Sequence, residues 1–436
     1  MRRRNLAASG EALPARRAEE TTMRTALIRN LGTALTVLAW PVMAAAQTTG
    51  AERVDEVRRE ANGHIGPLYF TPKLFLRELG VDSNVFNAAG DPKSDFTFTV
   101  SPGADVWLPV ARRALFQARV GTDLVYYANY ATERSIDPQF LGRAEVYIRR
   151  VTFFAEGEYL NTRQRLNYEV DVRARHVENN AAAGAAVQLT PKFSVELSGR
   201  IDETRFDADE EFNGLRLQRT LDQKTTGYMV AARHRVTPLT TVVVRYEGIE
   251  DEFAYSPVRD SRSVRVMPGV EFKPRALIKG SAYVGYRRFT PSVAGVLPEF
   301  SGLVAQLGLS YTLLGSTTFG VSYARDLTYS YDEVRPFFVN NWLGASVRHA
   351  LGRRFDVQVS ADRHLYAYQD LLLQPVVDLA LDPRTDTTWN YAGSLGYRIG
   401  KGRVGFGVSY WERESTTRNL RNYDNLRFGT TVSYGF

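Results

Sequence analysis

Residues 116–130 read FQARVGTDLVYYANY. Phe116, Ala118, Val120, Thr122, Leu124 and Tyr126 fall on one face; Gln117, Arg119, Gly121, Asp123 and Tyr127 fall on the other, with Val125 the interruption. A period of two residues is the mark of a strand lying between two different environments. The stretch is also two to three times the ~5–6 residues of an ordinary strand. The same alternation returns from Val264 to Phe272, Phe355 to Asp362, Val404 to Tyr410 and Phe428 to Phe436. A soluble sandwich alternates too, but its strands are short and its outer face is polar.

The connections between these runs decide between the two. Tight turns near Ala111, Arg150, Pro191, Pro238, Pro274, Gly315, Gly352 and Lys401 alternate with longer polar stretches, among them 81–94, 207–219, 331–336 and 369–385 and a short one near 165–169. Short turns on one side and longer loops on the other are the pattern of an outer-membrane barrel. The expected fold is therefore all-β: a transmembrane, antiparallel, up-and-down β-barrel of about eighteen strands, or about sixteen, with both termini periplasmic. The physical ground is backbone satisfaction. In lipid every N–H and C=O must be paired, so only helices or closed barrels cross, and no internal run here approaches the ~18 apolar residues of a membrane helix. Aromatic residues near strand ends, including Tyr126, Tyr130, Phe253, Tyr331, Phe337, Phe338, Trp389 and Tyr391, are expected to form interfacial girdles.

Of the 436 residues none is Cys, which excludes disulfides and thiolate metal sites. The formal charge of +7 needs correction for the N-terminus. Residues 23–46, MRTALIRNLGTALTVLAWPVMAAA, carry a basic start at Arg24 and Arg29, an apolar stretch from Leu31 to Ala39, a break at Pro41, and Ala44 and Ala46 before Gln47. This is a secretory signal-peptide pattern. Residues 1–22 fit no such region and read as an upstream extension. Residues 47–65 read as a polar periplasmic lead-in, and 66–436 as the barrel. Without residues 1–46, 48 basic residues face 45 acidic ones, interspersed and not gathered in a patch, so nucleic acid is not an expected partner. Expected partners are outer-membrane lipid, lipopolysaccharide and the machinery that assembles barrels.

The inner face is where chemistry would lie. Arg119, Asp123, Arg200, Arg245, Glu247, Arg265, Glu271, Arg287, Asp356, Asp362 and Arg403 are the charged candidates for a pore lining. Tyr127, Tyr283, Tyr323 and Trp411 are the aromatic ones, chosen because their same-parity neighbours are largely Gly, Ser, Arg or Asp. Mixed signs on facing strands brace a wall and set a transverse field that tunes selectivity. No HExxH pattern or close spacing of metal ligands occurs among the five histidines, so no cofactor or metal is expected. Ser360, Asp362 and His364 share a face, but residues four apart on a strand stand ~13 Å apart, too far for a nucleophilic triad. The chain is not expected to be an enzyme.

Gly66 to Phe86, GPLYFTPKLFLRELGVDSNVF, resembles the opening of a family of outer-membrane β-barrel porins of Gram-negative bacteria, some of whose relatives are linked to polysaccharide export. Asp82, Ser83, Asn84, Val85 and Phe86 match its motif, with Val81 where Tyr is usual. The C-terminal RFGTTVSYGF resembles the terminal assembly signal of such barrels, carried by Tyr434 and Phe436. The resemblance implies a channel for polar solutes, saccharides among them. The alternative is an export portal for an extracellular or capsular polysaccharide, which would need a separate periplasmic polysaccharide export protein; a plugged structural or adhesion barrel ranks third. The 369–385 loop, QDLLLQPVVDLALDPRT, is unusually apolar and is the expected inward-folding segment. Replacing Phe436 with a polar residue is expected to lower membrane insertion. Outer-membrane yield of the heat-modifiable form measures this, and an unchanged yield would refute the role given to Phe436.

Overall fold

A computed structural model describes residues 50–435 except 274–275, 373–382 and 418–420. The signal segment, the upstream extension, Phe436 and most of the 369–385 loop lie outside the described residues. Eighteen long strands form the wall: β2 (Leu68–Asp82), β3 (Asp95–Val110), β4 (Ala114–Tyr127), β5 (Ser135–Ile148), β6 (Val151–Thr162), β7 (His176–Gln188), β8 (Phe193–Phe206), β11 (Gln223–Thr237), β12 (Thr240–Phe253), β13 (Ser261–Phe272), β14 (Ile278–Pro291), β15 (Phe300–Leu313), β16 (Thr317–Tyr329), β17 (Phe337–Leu351), β18 (Phe355–Gln369), β19 (Thr385–Ile399), β20 (Gly402–Ser415) and β21 (Tyr423–Tyr434). A short β1 (Gly63–Ile65) pairs with the start of β2, and β9 (Glu211–Phe212) with β10 (Leu215–Arg216) makes a small hairpin between β8 and β11. Each wall strand pairs antiparallel with the next, β8 with β11, and β21 closes on β2.

The two faces separate as the period-two pattern dictates. Phe116, Val120, Leu124, Val242, Val244, Val264, Val266, Phe406 and Phe428 are exposed on the outside. Their chain neighbours Asp123, Val243, Arg265 and Met267 are buried inside. Strands of 12 to 16 residues are long enough, at the tilt usual for such barrels, to cross the ~25 Å apolar band of an outer-membrane barrel. Several tight hairpin turns have left-handed backbone at their two central residues: Ala111 and Arg112 have φ of 46° and 58°, and Leu314 and Gly315 have 49° and 68°. Such mirror-image turns match the twist of the strands they join.

Closure takes place at one seam. β2 meets β21 with Leu74 opposite Tyr434 and Gly80 opposite Gly429, and the register shifts between Leu76 and Leu79, beside Glu78 at φ 55°. The bulge presses the backbones together, so that a Cβ on Gly80 would lie 1.9 Å from the Phe428 carbonyl oxygen. The motif that carried the family resemblance ties the loop end of this seam. Ser83 Oγ accepts the Leu426 N–H at 2.8 Å, Asn84 Nδ2 donates to the Asp424 carbonyl at 3.0 Å, and Asp82 pairs with Arg427 at 2.9 Å. At the short-turn end, the helix Gly50–Glu60 buries Val54 and Val57, and Arg53 lies 3.7 Å from the inward Glu145.

One expectation fails here. Phe253, Tyr331, Phe337 and Phe338 do not form a girdle; they are buried in clusters inside the loop end of the barrel, Phe337 with Phe289 and Leu327, and Phe338 with Tyr168, Tyr366 and Tyr368. Tyr391 is exposed on the outer face. Position near a strand end does not tell inside from outside, which parity and loop packing decide.

Gly80→Val should clash with the β21 backbone and reduce the folded, heat-modifiable fraction several-fold on gel electrophoresis. Normal folding of this variant would show that the seam does not need the close approach.

Candidate pore lining and a segment that crosses the barrel

Antiparallel register places the sequence-chosen charges on the inner face, where they form connected networks. Asp105 on β3 holds Lys73 of β2 and Arg119 of β4, the latter at 2.7 Å; Asp123 pairs with Arg77 at 2.7 Å. Arg200 pairs with Asp202 at 3.0 Å. On the next strands Glu196 pairs with Arg233 at 2.7 Å, and Glu271 takes Arg245 at 3.2 Å; Tyr283 joins this pair, its hydroxyl bonded to Glu271 and 2.6 Å from Arg245. Arg265 bridges Glu247 and Asp326, and Arg287 reaches the other Asp326 oxygen at 2.7 Å. Asp356 faces Arg348, Arg398 and Arg403, at 3.7, 3.2 and 2.7 Å. Charges so buried persist only when paired and hydrogen-bonded, and β-strand register supplies partners from neighbouring strands.

Three aromatic candidates lie inside and one does not. Tyr127 packs with Val85 and Val125 under the Arg173 guanidinium, Tyr283 is buried in the network above, and Trp411 lies against Tyr168. Tyr323 is on the outer face: it shares parity with the exposed Phe319 and Val321 and stands opposite the exposed Leu343. The apolar Phe319 and Val321, not the small residues between them, are its same-face neighbours, and they turn this row of the strand outward. Ser360, Asp362 and His364 are not assembled as a triad; Asp362 instead accepts hydrogen bonds from Trp342 Nε1 at 3.2 Å and Asn390 Nδ2 at 3.0 Å. Among the described residues no group of three or more His, Asp or Glu is placed to hold a metal.

The feature missed in the sequence is residues 163–175, RQRLNYEVDVRAR. Its second half alternates like a strand, which predicts a wall strand from residue 170, yet β7 begins only at His176. The segment folds inward and crosses to the far wall. Tyr168 packs on His364 of β18 and Trp411 of β20, with ring centroids at 4.6 and 5.4 Å. Asp171 pairs with Arg413 of β20 at 2.7 Å, and Arg413 also holds Asp386 of β19 at 2.8 Å. Glu169 accepts from Ser330 Oγ at 2.5 Å. At the near wall, Arg175 pairs with Asp137 of β5 at 3.3 Å. Above it, Val170 and Ala174 share a small apolar core with Phe206, Leu217, Leu221 and Tyr331, and Phe212 of the β9–β10 hairpin meets Tyr331 edge-on. The acidic stretch 207–212 thus ends in a packed cap. Burial pushes the Glu169 and Asp171 carboxyls above the ordinary range, against the opposing pull of Arg384 and Arg413. Burial likewise raises Asp222, at the rim of the same cap, to about 6.

Residues 63–435 match the family described as "Putative beta-barrel porin 2". No curated protein matches the chain. Solved structures similar to it include Pseudomonas aeruginosa OpdK with vanillate, at 10% identity over 85% of this chain and 99% of that one with a TM-score of 0.47. Pseudomonas aeruginosa OpdO follows at 12% identity, over 84% and 96%, with a TM-score of 0.46. A bacterial polysaccharide outer membrane secretin matches at 11% identity, over 84% and 98%, with a TM-score of 0.34. At these values the likenesses carry no argument about what passes through. The closed eighteen-strand wall and the match over nearly all of it agree: the chain is a member of this β-barrel porin family of the outer membrane.

Proposed function

We propose that this protein is a gated, non-enzymatic channel for polar solutes, saccharides among them, in the outer membrane of a Gram-negative bacterium. The short-turn end, which carries both termini of the barrel, then faces the periplasm. The observation that carries the reading is how the interior is closed. An apolar wall encloses a lining of paired charges, and the segment that crosses it, 163–175, is held to the far wall by Asp171–Arg413 and Glu169–Ser330. Val170 and Ala174 anchor the segment in the small apolar core of the cap, while its reach to the far wall is fastened by these polar contacts and by the Tyr168 ring. Contacts made of hydrogen bonds and ion pairs can be exchanged for water or solute, so the segment acts as a strap that can be released.

Planar-bilayer recordings of the purified barrel test this. Stepwise ion conductance is expected, and Arg413→Ala should raise the open fraction, because it leaves Asp171 and Asp386 without their shared cation. Breaking a buried pair of this kind costs about 3–5 kcal/mol. Absence of conductance in either polarity, for both the native protein and Arg413→Ala, would overturn the channel reading.

The strap should also respond to pH. Glu169 is faced by Ser330, Tyr368, Arg384 and Arg413, and Asp171 by Arg165, Arg413 and Arg421. Both carboxyls bind a proton more readily in place than when released into water. The strapped state is therefore favoured most below the ordinary carboxylate values, 4.5 for Glu and 3.8 for Asp, and loses stability as pH rises through the raised ones. The open fraction should increase from about pH 4 to neutrality, with Glu169→Gln reducing the response. An open fraction that falls over this range would show that the ion pairs, not burial, dominate.

A further inference from the structure

We infer that the inner wall beneath Tyr168 is a binding site for a neutral saccharide. The inference rests on the channel reading only in placing the site along a passage. Four adjacent strands, β17 to β20, bring three inward rows together: Asn340 beside Tyr366, Trp342 beside His364 and Thr388, and Asp362 beside Asn390 and Trp411. At strand and residue spacing this patch measures about 14 Å each way, an area of wall larger than one sugar ring.

Two independent features mark it out from the rest of the interior. The first is its unanswered polar atoms. Other buried polar atoms of the barrel also lack a partner, Thr122 Oγ1, Ser194 Oγ and Gln223 Oε1 among them, but here both side-chain atoms of Asn340, both ring nitrogens of His364, the Tyr366 hydroxyl, Thr388 Oγ1, Asn390 Oδ1 and Trp411 Nε1 are gathered on one patch with no hydrogen-bond partner among the described residues. Asn340, His364, Tyr366, Thr388 and Asn390 are each at least nine-tenths buried. Buried polar groups are nearly always satisfied, and a cluster of exceptions needs an explanation. The second feature is the aromatic surface. Trp342 and His364 are stacked at 5.8 Å with 11° between their planes, and the Tyr168 ring of the strap rests against His364 and Trp411.

The chemistry of the unanswered atoms selects the ligand. They mix donors, such as Asn340 Nδ2 and Trp411 Nε1, with acceptors, such as Asn340 Oδ1 and Asn390 Oδ1. A cation offers only donors and an anion only acceptors; a hydroxyl offers both. The formal charges nearby are already engaged, Asp362 by Trp342 and Asn390, and Arg413 by Asp171 and Asp386. A ligand that meets mixed donors and acceptors, carries no charge and lays a flat C–H face on aromatic rings is a sugar. In the strapped state the Tyr168 ring lies tilted against these rings, at 52° to His364 and 59° to Trp411, so saccharide binding displaces Tyr168 and favours release of the strap.

The test uses the folded, purified barrel in detergent, titrated with maltotriose, cellotriose, choline and benzoate, with Trp342 and Trp411 as fluorescence reporters. A saturable change is expected with a neutral trisaccharide and not with choline or benzoate. Asn340→Ala should weaken the apparent Kd about tenfold, the equivalent of losing ~1.4 kcal/mol. Tyr168→Ala lies in the strap, outside the wall, and should tighten the Kd several-fold by removing the internal competitor. The inference is overturned if neither trisaccharide gives a saturable signal with the native protein or with Tyr168→Ala, or if choline or benzoate binds better. If Asn340→Ala does not fold, judged by heat-modifiable migration, the Tyr168→Ala comparison decides alone. Bilayer conductance of the same preparation separates the two claims. A barrel that conducts but does not respond to either sugar loses only this site, and one that binds sugar without conducting loses only the channel.

Discussion

The hydrogen bonds between β2 and β21 are the contact on which the rest of the molecule depends. Until the last strand meets the first, two edges expose unpaired N–H and C=O groups, and in lipid each costs several kcal/mol. The fold meets this requirement at a strained place. A bulge at Arg77–Leu79 forces the backbones into contact where Gly80 faces Gly429, and Asp82, Ser83 and Asn84 tie the loop end to the residues of β21. Closure then divides every strand into an outer row that meets apolar medium and an inner row that does not.

That division creates an electrostatic problem inside the wall. Arginines and carboxylates shielded from water are costly unless each finds a partner of opposite sign. The barrel meets this by sharing: Asp326 takes Arg265 and Arg287, Asp356 takes three arginines, and Arg413 links Asp171 to Asp386. Arg413 differs from the others in its reach. It joins two parts of the chain that the barrel order keeps far apart, and so converts a static lining into a fastening for the strap. The aromatic patch under Tyr168 lies next to this node, which places the proposed saccharide site and strap release side by side.

Legibility followed the range of the interaction. The alternation of Phe116 to Tyr130 is local, and the parity it assigns to Arg119, Asp123 and Tyr127 agrees with the inner face on which the structure places them. Tyr323 failed because a single strand offers two phases, and Phe319 and Val321 should have set the choice. Residues 170–175 failed for a deeper reason. Val170, Asp171, Val172 and Arg173 alternate as a strand does, and nothing in that alternation says that the chain leaves the wall. Its direction comes from Arg413, 242 positions away in sequence from Asp171.

The sequence by itself determined the material of the wall: strand length, the alternation of apolar and polar faces, short turns against long loops, and so a closed barrel. These are properties of neighbouring residues, and a two-residue period states them without reference to anything distant. The tertiary structure alone decided what occupies the interior, namely which carboxylate serves which arginine, which loop turns inward and which polar atoms are left unanswered. Those outcomes depend on strands far apart in sequence being brought face to face, and closure of β21 on β2 is what brings them there.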